Sequence, residues 1–132
     1  MSDKKILEIG TANASQIATA QMLFGRTFKE DASWITEGIK NGFYKADAVA
    51  IEKVDRYLVV YHVNDQKHLF INAIAQLTKD FSEFAALAEA MTEIAKKNLC
   101  KAIEGITVRP GVVERLKDFG FIPAGVVMTK VL

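Results

Sequence analysis

LFINAIAQLTKDFSEFAALAEAMTEIAKK, the stretch from Leu69 to Lys97, decides the fold. Leu69 to Leu77 is an apolar run interrupted only by Asn72 and Gln76, which is typical of a strand covered on both faces. The segment that follows predicts a long amphipathic helix, because its apolar residues recur near the 3.6-residue helical period: Phe81, Phe84, Leu87, Ala88, Met91, Ile94 and Ala95. We therefore expect a buried strand that leads directly into a helix.

The junction between this strand and this helix is the first candidate binding site. Asp80, three residues before Glu83, has the pattern of a helix N-cap with an acidic residue that bonds back to it. The first N–H groups of a helix have no partner inside the helix, so they can bind an anion. No glycine occurs between Leu77 and Phe84, so a phosphate would lie farther from the backbone than in a glycine-rich loop.

Composition indicates one domain without a general attraction to polyanions. The 132 residues, half of them hydrophobic, are enough for one core and too few for two, so we expect a single domain over residues 1–132. The 17 Lys and Arg residues against 16 Asp and Glu residues leave a net charge of +1. We therefore expect neither nucleic acid nor a membrane as a partner.

Two further features favour a cytoplasmic protein. The single cysteine, Cys100, excludes an internal disulfide and is typical of a reducing compartment. The first residues lack the apolar run of a signal peptide, and no apolar run reaches the ~18 residues expected of a membrane span.

Before the meander, the sequence predicts two helices. The first runs from about Ala14 to Phe28, and the second carries Trp34 and ends at Gly42. Candidate N-caps for the first helix are Thr11, Asn13 and Ser15, and the second helix is predicted to start at Asp31 or Ser33.

The predicted strands are Lys5–Ile9, Ala48–Lys53, Arg56–Val63, His68–Leu77, Ala102–Val108 and Gly125–Leu132. Short polar links join the second, third and fourth of them, which predicts an antiparallel meander, whereas the long helix before the fifth predicts a parallel crossover. A last helix begins at Pro110 and ends at Gly120. The predicted fold class is α/β (α+β), a single-domain mixed, mostly antiparallel sheet with helices on both faces, in the order β-α-α-β-β-β-α-β-α-β.

The segment IEGITVRPGVVERLKDFGF, from Ile103 to Phe121, resembles the C-terminal part of the GNAT superfamily of acyl-CoA-dependent N-acyltransferases. In that family a strand leads to a short helix that ends in Gly-Phe, and the element order resembles this chain throughout. The resemblance implies acyl transfer from acetyl-CoA or another acyl-CoA to an amine acceptor, with the CoA pyrophosphate at the N-terminus of the central helix. By position, it implies a cofactor-binding loop made of Leu77, Thr78, Lys79, Asp80, Phe81 and Ser82.

The chain departs from the family's pattern at three functional positions. Family members commonly have Gln or Arg, two residues, Gly, one residue, then Gly or Ala in the pyrophosphate loop, where this chain has TKDFSE. Asp80 and Glu83 put negative charge beside a diphosphate, and unit charges ~4 Å apart at a surface repel by on the order of a few kcal/mol. Lys79 offsets part of that. Leu116 stands where the family often has a Tyr that protonates the leaving thiolate, and Arg109 stands where an Asn is common.

Tyr57, Tyr61 and Glu52 are the candidate catalytic residues. Either tyrosine could act as an acid if it lined a cleft, although their alternation with Val59 on one strand face favours cross-strand packing. Glu52, together with Asp55, could deprotonate a substrate amine, although solvated charges are the usual interpretation at a hairpin.

Other groups have a functional and a plain structural interpretation. His62 and His68 could face each other on one hairpin as a base pair or partial metal site, but no third ligand has suitable spacing, so we expect no metal. Cys100 has no evident base, which favours an incidental thiol over a nucleophile. Three aromatic residues could wall a substrate cleft or simply join helix to sheet: Trp34, Phe43 and Tyr44.

Two classes of function remain open. The first is a divergent GNAT-like N-acyltransferase with weak or lost activity. The second is a non-catalytic GNAT-fold binding or interaction protein, of a kind found in phage and prophage genomes. A cleft between the strands Leu69–Leu77 and Ala102–Val108 favours the first, and a gap filled by side chains favours the second. The apolar closing segment VVMTKVL needs cover, so a homodimer or a protein partner is also considered.

Overall fold

One five-stranded sheet organises the computed structural model, which describes residues 6–78, 83–105, 115–122 and 130. The strands are β1 (Leu7–Thr11), β2 (Lys45–Ile51), β3 (Val54–Val63), β4 (His68–Gln76) and β5 (Ala102–Gly105). Their order across the sheet is their order in the chain. The first four pair antiparallel, whereas β4 and β5 pair parallel, with Leu69 opposite Ile103. The predicted meander and the parallel crossover are therefore confirmed.

Three helices complete the described elements: α1 (Ala14–Phe28), α2 (Ser33–Lys40) and α3 (Phe84–Lys97). Within the ranges that the structure describes, no helix is both long and apolar enough to cross a membrane. Helix α1 has the predicted bounds. Asn13 is its N-cap, because the Asn13 side chain accepts the Gln16 N–H at 2.8 Å while the Gln16 side chain accepts the Asn13 N–H at 2.9 Å.

Helix α2 begins at Ser33 and ends before Gly42, as predicted. The Ser33 N–H donates to Asp31 Oδ1 at 3.0 Å, and this bond, with a second from the Ser33 side chain, lowers the pKa of Asp31. Gly42 has a φ of 80°, and the N–H groups of Gly42 and Phe43 donate to the carbonyls of Ile39 and Gly38. This is the Schellman arrangement, in which a glycine suits the left-handed position.

The two sides of the sheet carry separate cores, which confirms the prediction of helices on both faces. Helix α3 covers one side, and its layer includes the buried residues Val49, Tyr57, Val59, Tyr61, Leu69, Met91 and Ile94. Helices α1 and α2 cover the other side, where the buried residues include Ala20, Ile35, Leu58, Val60, Ala73 and Ala75. The alternation of strand residues between the faces distributes them in this way.

Several predicted boundaries differ from the structure. Helix α3 begins at Phe84 with Glu83 at the N-cap, so the predicted N-cap at Asp80 is wrong. Strand β2 begins at Lys45 rather than Ala48, because Lys45 pairs with Tyr61 on the long strand β3. Strand β1 reaches Thr11 rather than ending at Ile9, because Thr11 pairs with Asp47.

The C-terminal predictions fall largely outside the described residues, including residues 106–114 and most of Gly125–Leu132. Residues 115–117 are helical, and the predicted end at Gly120 is confirmed. Gly120 has a φ of 89°, and the N–H groups of Gly120 and Phe121 donate to the carbonyls of Lys117 and Leu116.

Candidate functional site

The chain that leaves β4 toward α3 is fastened to the start of β3. The Leu77 N–H donates to the Arg56 carbonyl at 2.8 Å, and Thr78 Oγ1 donates to the Asp55 carbonyl at 3.0 Å. Gln76 Nε2 donates to the Thr78 carbonyl at 3.0 Å. The first two residues of the predicted cofactor loop, Leu77 and Thr78, are therefore held at the end of the sheet. The other four, residues 79–82, lie outside the described residues.

The N-terminus of α3 is the second part of this site. Glu83 occupies the N-cap, and its side chain makes no capping hydrogen bond. The Glu83 N–H donates instead to the hydroxyl of Tyr57 at 3.0 Å. The helix dipole adds about half a positive charge at this end, so the N–H groups of the first turn suit an anion.

Tyr57 contacts the start of α3, and this contact could not be predicted from its position in the sequence. Its side chain is buried in the layer between the sheet and α3, and its hydroxyl contacts Glu83 at the helix start. Tyr57 and Glu83 are 26 residues apart in the chain, so only the fold brings them together. The predicted packing of Tyr57, Val59 and Tyr61 on one strand face is present.

Tyr61 lies far from Tyr57 on the same strand. Four residues at ~3.3 Å each separate the two tyrosines by about 13 Å, so they do not share one site. Burial of Tyr61, which is 1% exposed, raises its pKa to about 12. The negative charge of Asp47 adds to this rise, while a hydrogen bond from Asn98 opposes it. A phenol in this environment stays protonated at neutral pH.

Glu52 lies in the tight turn between β2 and β3, with a φ of 52°. Its carboxylate accepts the N–H of Ile6 at 3.2 Å, and its own N–H donates to the Ile6 carbonyl at 3.0 Å. Glu52 thus joins the turn to the segment before β1. The catalytic roles of Glu52, Tyr57 and Tyr61 stay predictions.

A β-bulge interrupts β4 in the middle of the sheet. The register shifts between Val60, which pairs with Ala73, and Tyr61, which pairs with Ile71, so Asn72 is the extra residue. Asn72 Oδ1 lies 2.7 Å from His62 Nδ1. Bulges of this kind turn side chains toward a site and are frequent beside active sites.

The two histidines do not face each other, so that hypothesis is wrong. His62 pairs across the strands with Phe70, and their rings stack with centroids 5.1 Å apart. His68 instead contacts Glu104 on β5, with Nδ1 3.3 Å from Oε2. Among the described residues, no group of three or more His, Cys, Asp or Glu is arranged to hold a metal ion.

A row of rings crosses the side of the sheet that α1 and α2 cover. Trp34 packs edge-on against Phe24 and Tyr44, each at 5.9 Å between centroids, and Tyr44 continues to His62 at 6.1 Å. Gly38 makes room for this row, because a Cβ at that position would overlap the Tyr44 ring. Trp34 and Tyr44 thus join helix to sheet, whereas Phe43 is 71% exposed and stands apart.

Two other predicted positions lie away from these features. Cys100 follows α3, half-buried, with Sγ 3.7 Å from the Asn98 carbonyl oxygen. Leu116 is half-buried in the helical residues 115–117, and Arg109 lies outside the described residues.

Comparison with known proteins finds matches in structure and none in sequence. No protein-family model matches the chain, and no curated protein does. A possible acetyltransferase from Clostridium difficile 630 superposes with a TM-score of 0.68 at 12% identity, covering 96% of this chain and 97% of that one. A GNAT family acetyltransferase from Staphylococcus aureus gives 0.62 at 15% identity, covering 96% and 98%.

A third structure, the aminoglycoside N-acetyltransferase AAC(6')-Iy in complex with CoA, gives a TM-score of 0.65 at 12% identity and covers 100% of this chain and 98% of that chain. Agreement over nearly the whole length establishes that the chain has the GNAT fold. Identities of this size establish the fold alone, because one fold serves many functions.

Proposed function

We propose that this chain is a divergent N-acyltransferase that takes acetyl-CoA or another acyl-CoA and transfers the acyl group to an amine acceptor. The observation that carries the proposal is the path of the chain from β4 into α3 and back to a parallel β5, within a fold that matches acetyltransferases over nearly their full length. Within the described residues, β4 pairs with β5 only as far as Ile71. Strand β4 itself continues to Gln76.

The α3 N-terminus supports binding of the CoA pyrophosphate there. Its N-cap residue, Glu83, does not cap the first turn with its side chain, and its end of the helix carries the positive half of the helix dipole. We assign the loop Leu77, Thr78, Lys79, Asp80, Phe81 and Ser82 to the diphosphate, with Lys79 as its cation. Asp80 and Glu83 reduce the affinity by repulsion.

The reaction requires an amine that is neutral when it attacks. Its nitrogen bonds to the thioester carbonyl carbon, the carbon–sulfur bond breaks, and the CoA thiolate takes up the proton that the amine gives up. Glu52 and Tyr57 remain the proposed proton-transfer groups, whereas Tyr61 lies too far from the α3 N-terminus to serve there. With Leu116 in place of a tyrosine, we expect slow proton transfer to the thiolate and a low turnover number.

Calorimetric titration of the purified chain with acetyl-CoA tests the proposal. We expect micromolar binding that Lys79→Glu weakens about tenfold or more, equivalent to about 1.4 kcal/mol. The matched control is Lys96→Glu, the same charge reversal at the other end of α3, where Lys96 is 71% exposed. It should leave acetyl-CoA binding unchanged.

The absence of binding at millimolar acetyl-CoA would overturn the proposal. The acidic loop TKDFSE, without glycine, then favours the second candidate, a GNAT-fold protein that binds a partner without catalysis. Equal weakening by the two lysine variants would also overturn the assignment of the loop, because it would indicate a general charge effect.

A further inference from the structure

A cavity lined by described residues lies at the C-terminal end of α3. It has a volume of about 400 Å³ and is bordered by the end of β1, the start of β2 and the C-terminus of α3. Helix α3 has 14 residues at ~1.5 Å rise each, so its two ends lie about 20 Å apart. This cavity is therefore separate from the site proposed for the pyrophosphate.

The polar wall of the cavity contains a buried carboxylate that already has a partner. Asp47 is 2% exposed, and its Oδ2 accepts the Lys97 ammonium at 2.7 Å. The Lys97 side chain is half exposed, so the ion pair lies at the boundary between the protein interior and the cavity. Tyr61 and Asn98 complete this wall. Asn98 Nδ2 donates to the Ile94 carbonyl at 2.8 Å and lies 3.4 Å from the Tyr61 hydroxyl.

The charges that line the cavity favour an anion. Among the described lining residues, Lys45 and Lys97 are cationic and Asp47 is anionic, which leaves one positive charge in excess. The α1 N-terminus and the α3 C-terminus both border the cavity, and their dipole charges of opposite sign cancel. Because the lining has one more ammonium group than carboxylate groups, it suits a ligand with a single negative charge.

The opposite wall is apolar. Ile17, Ile39 and the ring of Tyr44 line it, and they come from α1, α2 and the segment before β2. Ligand pockets combine apolar walls with a few polar groups in this way, within about 300–1,000 Å³.

We propose that this cavity binds a small monocarboxylic acid with an apolar or aromatic body, with its carboxylate between Lys97 and Lys45 and its body against Tyr44 and Ile39. The proposal does not rest on acyl transfer, because none of these residues belongs to the loop assigned to CoA. Asp47 competes with the ligand for the Lys97 ammonium, because its own carboxylate already accepts that group at 2.7 Å.

The test uses 3-phenylpropionate as the probe, followed by shifts of backbone amide signals in NMR titrations of the full chain. We expect saturable shifts at Asp47, Lys97 and Asn98. The neutral isostere 3-phenylpropionamide should bind at least about fivefold more weakly, because it lacks the charge that the two lysines attract. The cationic analogue 3-phenylpropylamine should not bind.

Three variants are expected to change the affinity for the carboxylate in opposite directions, which distinguishes a ligand site from an ion pair that only stabilises the fold. Asp47→Asn keeps the shape of the side chain and releases Lys97, so it should tighten the carboxylate about threefold or more. Lys45→Gln and the double variant Asp47→Asn with Lys97→Gln should each weaken it about fivefold. The control is Lys96→Gln, the neighbouring lysine, which does not line the cavity and should leave binding unchanged.

The absence of a saturable shift with ~10 mM 3-phenylpropionate would overturn the proposal, because weak small ligands bind with roughly millimolar affinity. Equal binding of the acid and the amide, or tighter binding of the amine, would overturn it as well. Unchanged affinity in Asp47→Asn would also overturn it. Failure of acetyl-CoA to bind would not, because that ligand tests the far end of α3.

Discussion

Tyr61 is a phenol enclosed between the sheet and the C-terminal end of α3. Its hydroxyl lies within reach of Asn98, and Asp47 brings a negative charge into the same wall. Burial is the main cause of the rise of its pKa from 10.0 to about 12. The phenolate is thus disfavoured in the folded protein far more than in the unfolded chain.

This difference makes stability depend on pH in the alkaline range. Below pH 10 both states keep the proton, so the contribution of Tyr61 is fully present. As pH rises from 10 to about 12 the unfolded chain loses the proton first, and stability falls. We expect urea unfolding to give a loss of about 2 kcal/mol over this range relative to Tyr61→Phe, which cannot ionise. Parallel pH profiles for the two proteins would contradict the prediction.

At the scale of elements, each described helix is followed by a residue in the left-handed conformation: glycine in two cases, Lys29 after α1 (φ 53°) and Leu99 after α3. Gly42 and Gly120 hold the left-handed position after their helices, with φ of 80° and 89°. After α3 the same position is Leu99, with φ of 58°. The Leu99 and Cys100 N–H groups donate to the carbonyls of Lys96 and Ala95, so the Schellman arrangement forms without glycine.

Leu99→Gly should therefore stabilise the protein. A left-handed conformation costs a residue with a Cβ about 1 kcal/mol or more, and the Leu99 side chain, 86% exposed, loses little contact on removal. We expect the free energy of unfolding to rise by about 0.5–1 kcal/mol after the extra flexibility of glycine in the unfolded chain is included. Leu99→Ala is the control, since it keeps the Cβ and should give no gain. A loss of stability in Leu99→Gly would show that the Leu99 side chain packs in solution.

At the scale of the whole molecule, one sheet joins two layers. Strand β3 contributes Val59 and Tyr61 to the α3 layer and Leu58 and Val60 to the α1–α2 layer. Both layers pack on the same sheet, so unfolding of the sheet removes the support of both. We therefore expect the two layers to unfold in one transition.

Ile94→Ala tests this coupling. Ile94 is fully buried on α3, and truncation should cost about 2–5 kcal/mol through lost contacts and a cavity. The single tryptophan, Trp34, lies in the opposite layer and reports on it by fluorescence. In urea unfolding, the fluorescence midpoint should fall together with the midpoint of far-UV circular dichroism. A fluorescence midpoint that stays in place while the other falls would mean that the layers unfold separately. Leu58→Ala, in the tryptophan's own layer, is the matched control.

Local patterns sufficed for much of this architecture. The bounds of α1, the glycines that end α2 and the last helical turn, and the strands of the meander all follow from periodicity and turn residues that act over a few positions. The parallel crossover followed from the length of the helix between β4 and β5. The residues implied for the cofactor loop came from a resemblance rather than from such a pattern.

The tertiary structure decided what distant residues do to one another. It sets the start of α3 at Phe84 rather than near Asp80. It also brings Tyr57 to Glu83 and pairs Asp47 with Lys97, which are 50 positions apart. One sequence signal for this pair existed, since Asp47 is a lone carboxylate in the apolar strand KADAVAI. Its partner had none, because a lysine at the end of an amphipathic helix is ordinarily solvated. The sequence by itself therefore determined the elements, through short-range backbone and periodicity preferences, whereas burial and the contacts between elements decided which of their polar groups form a site.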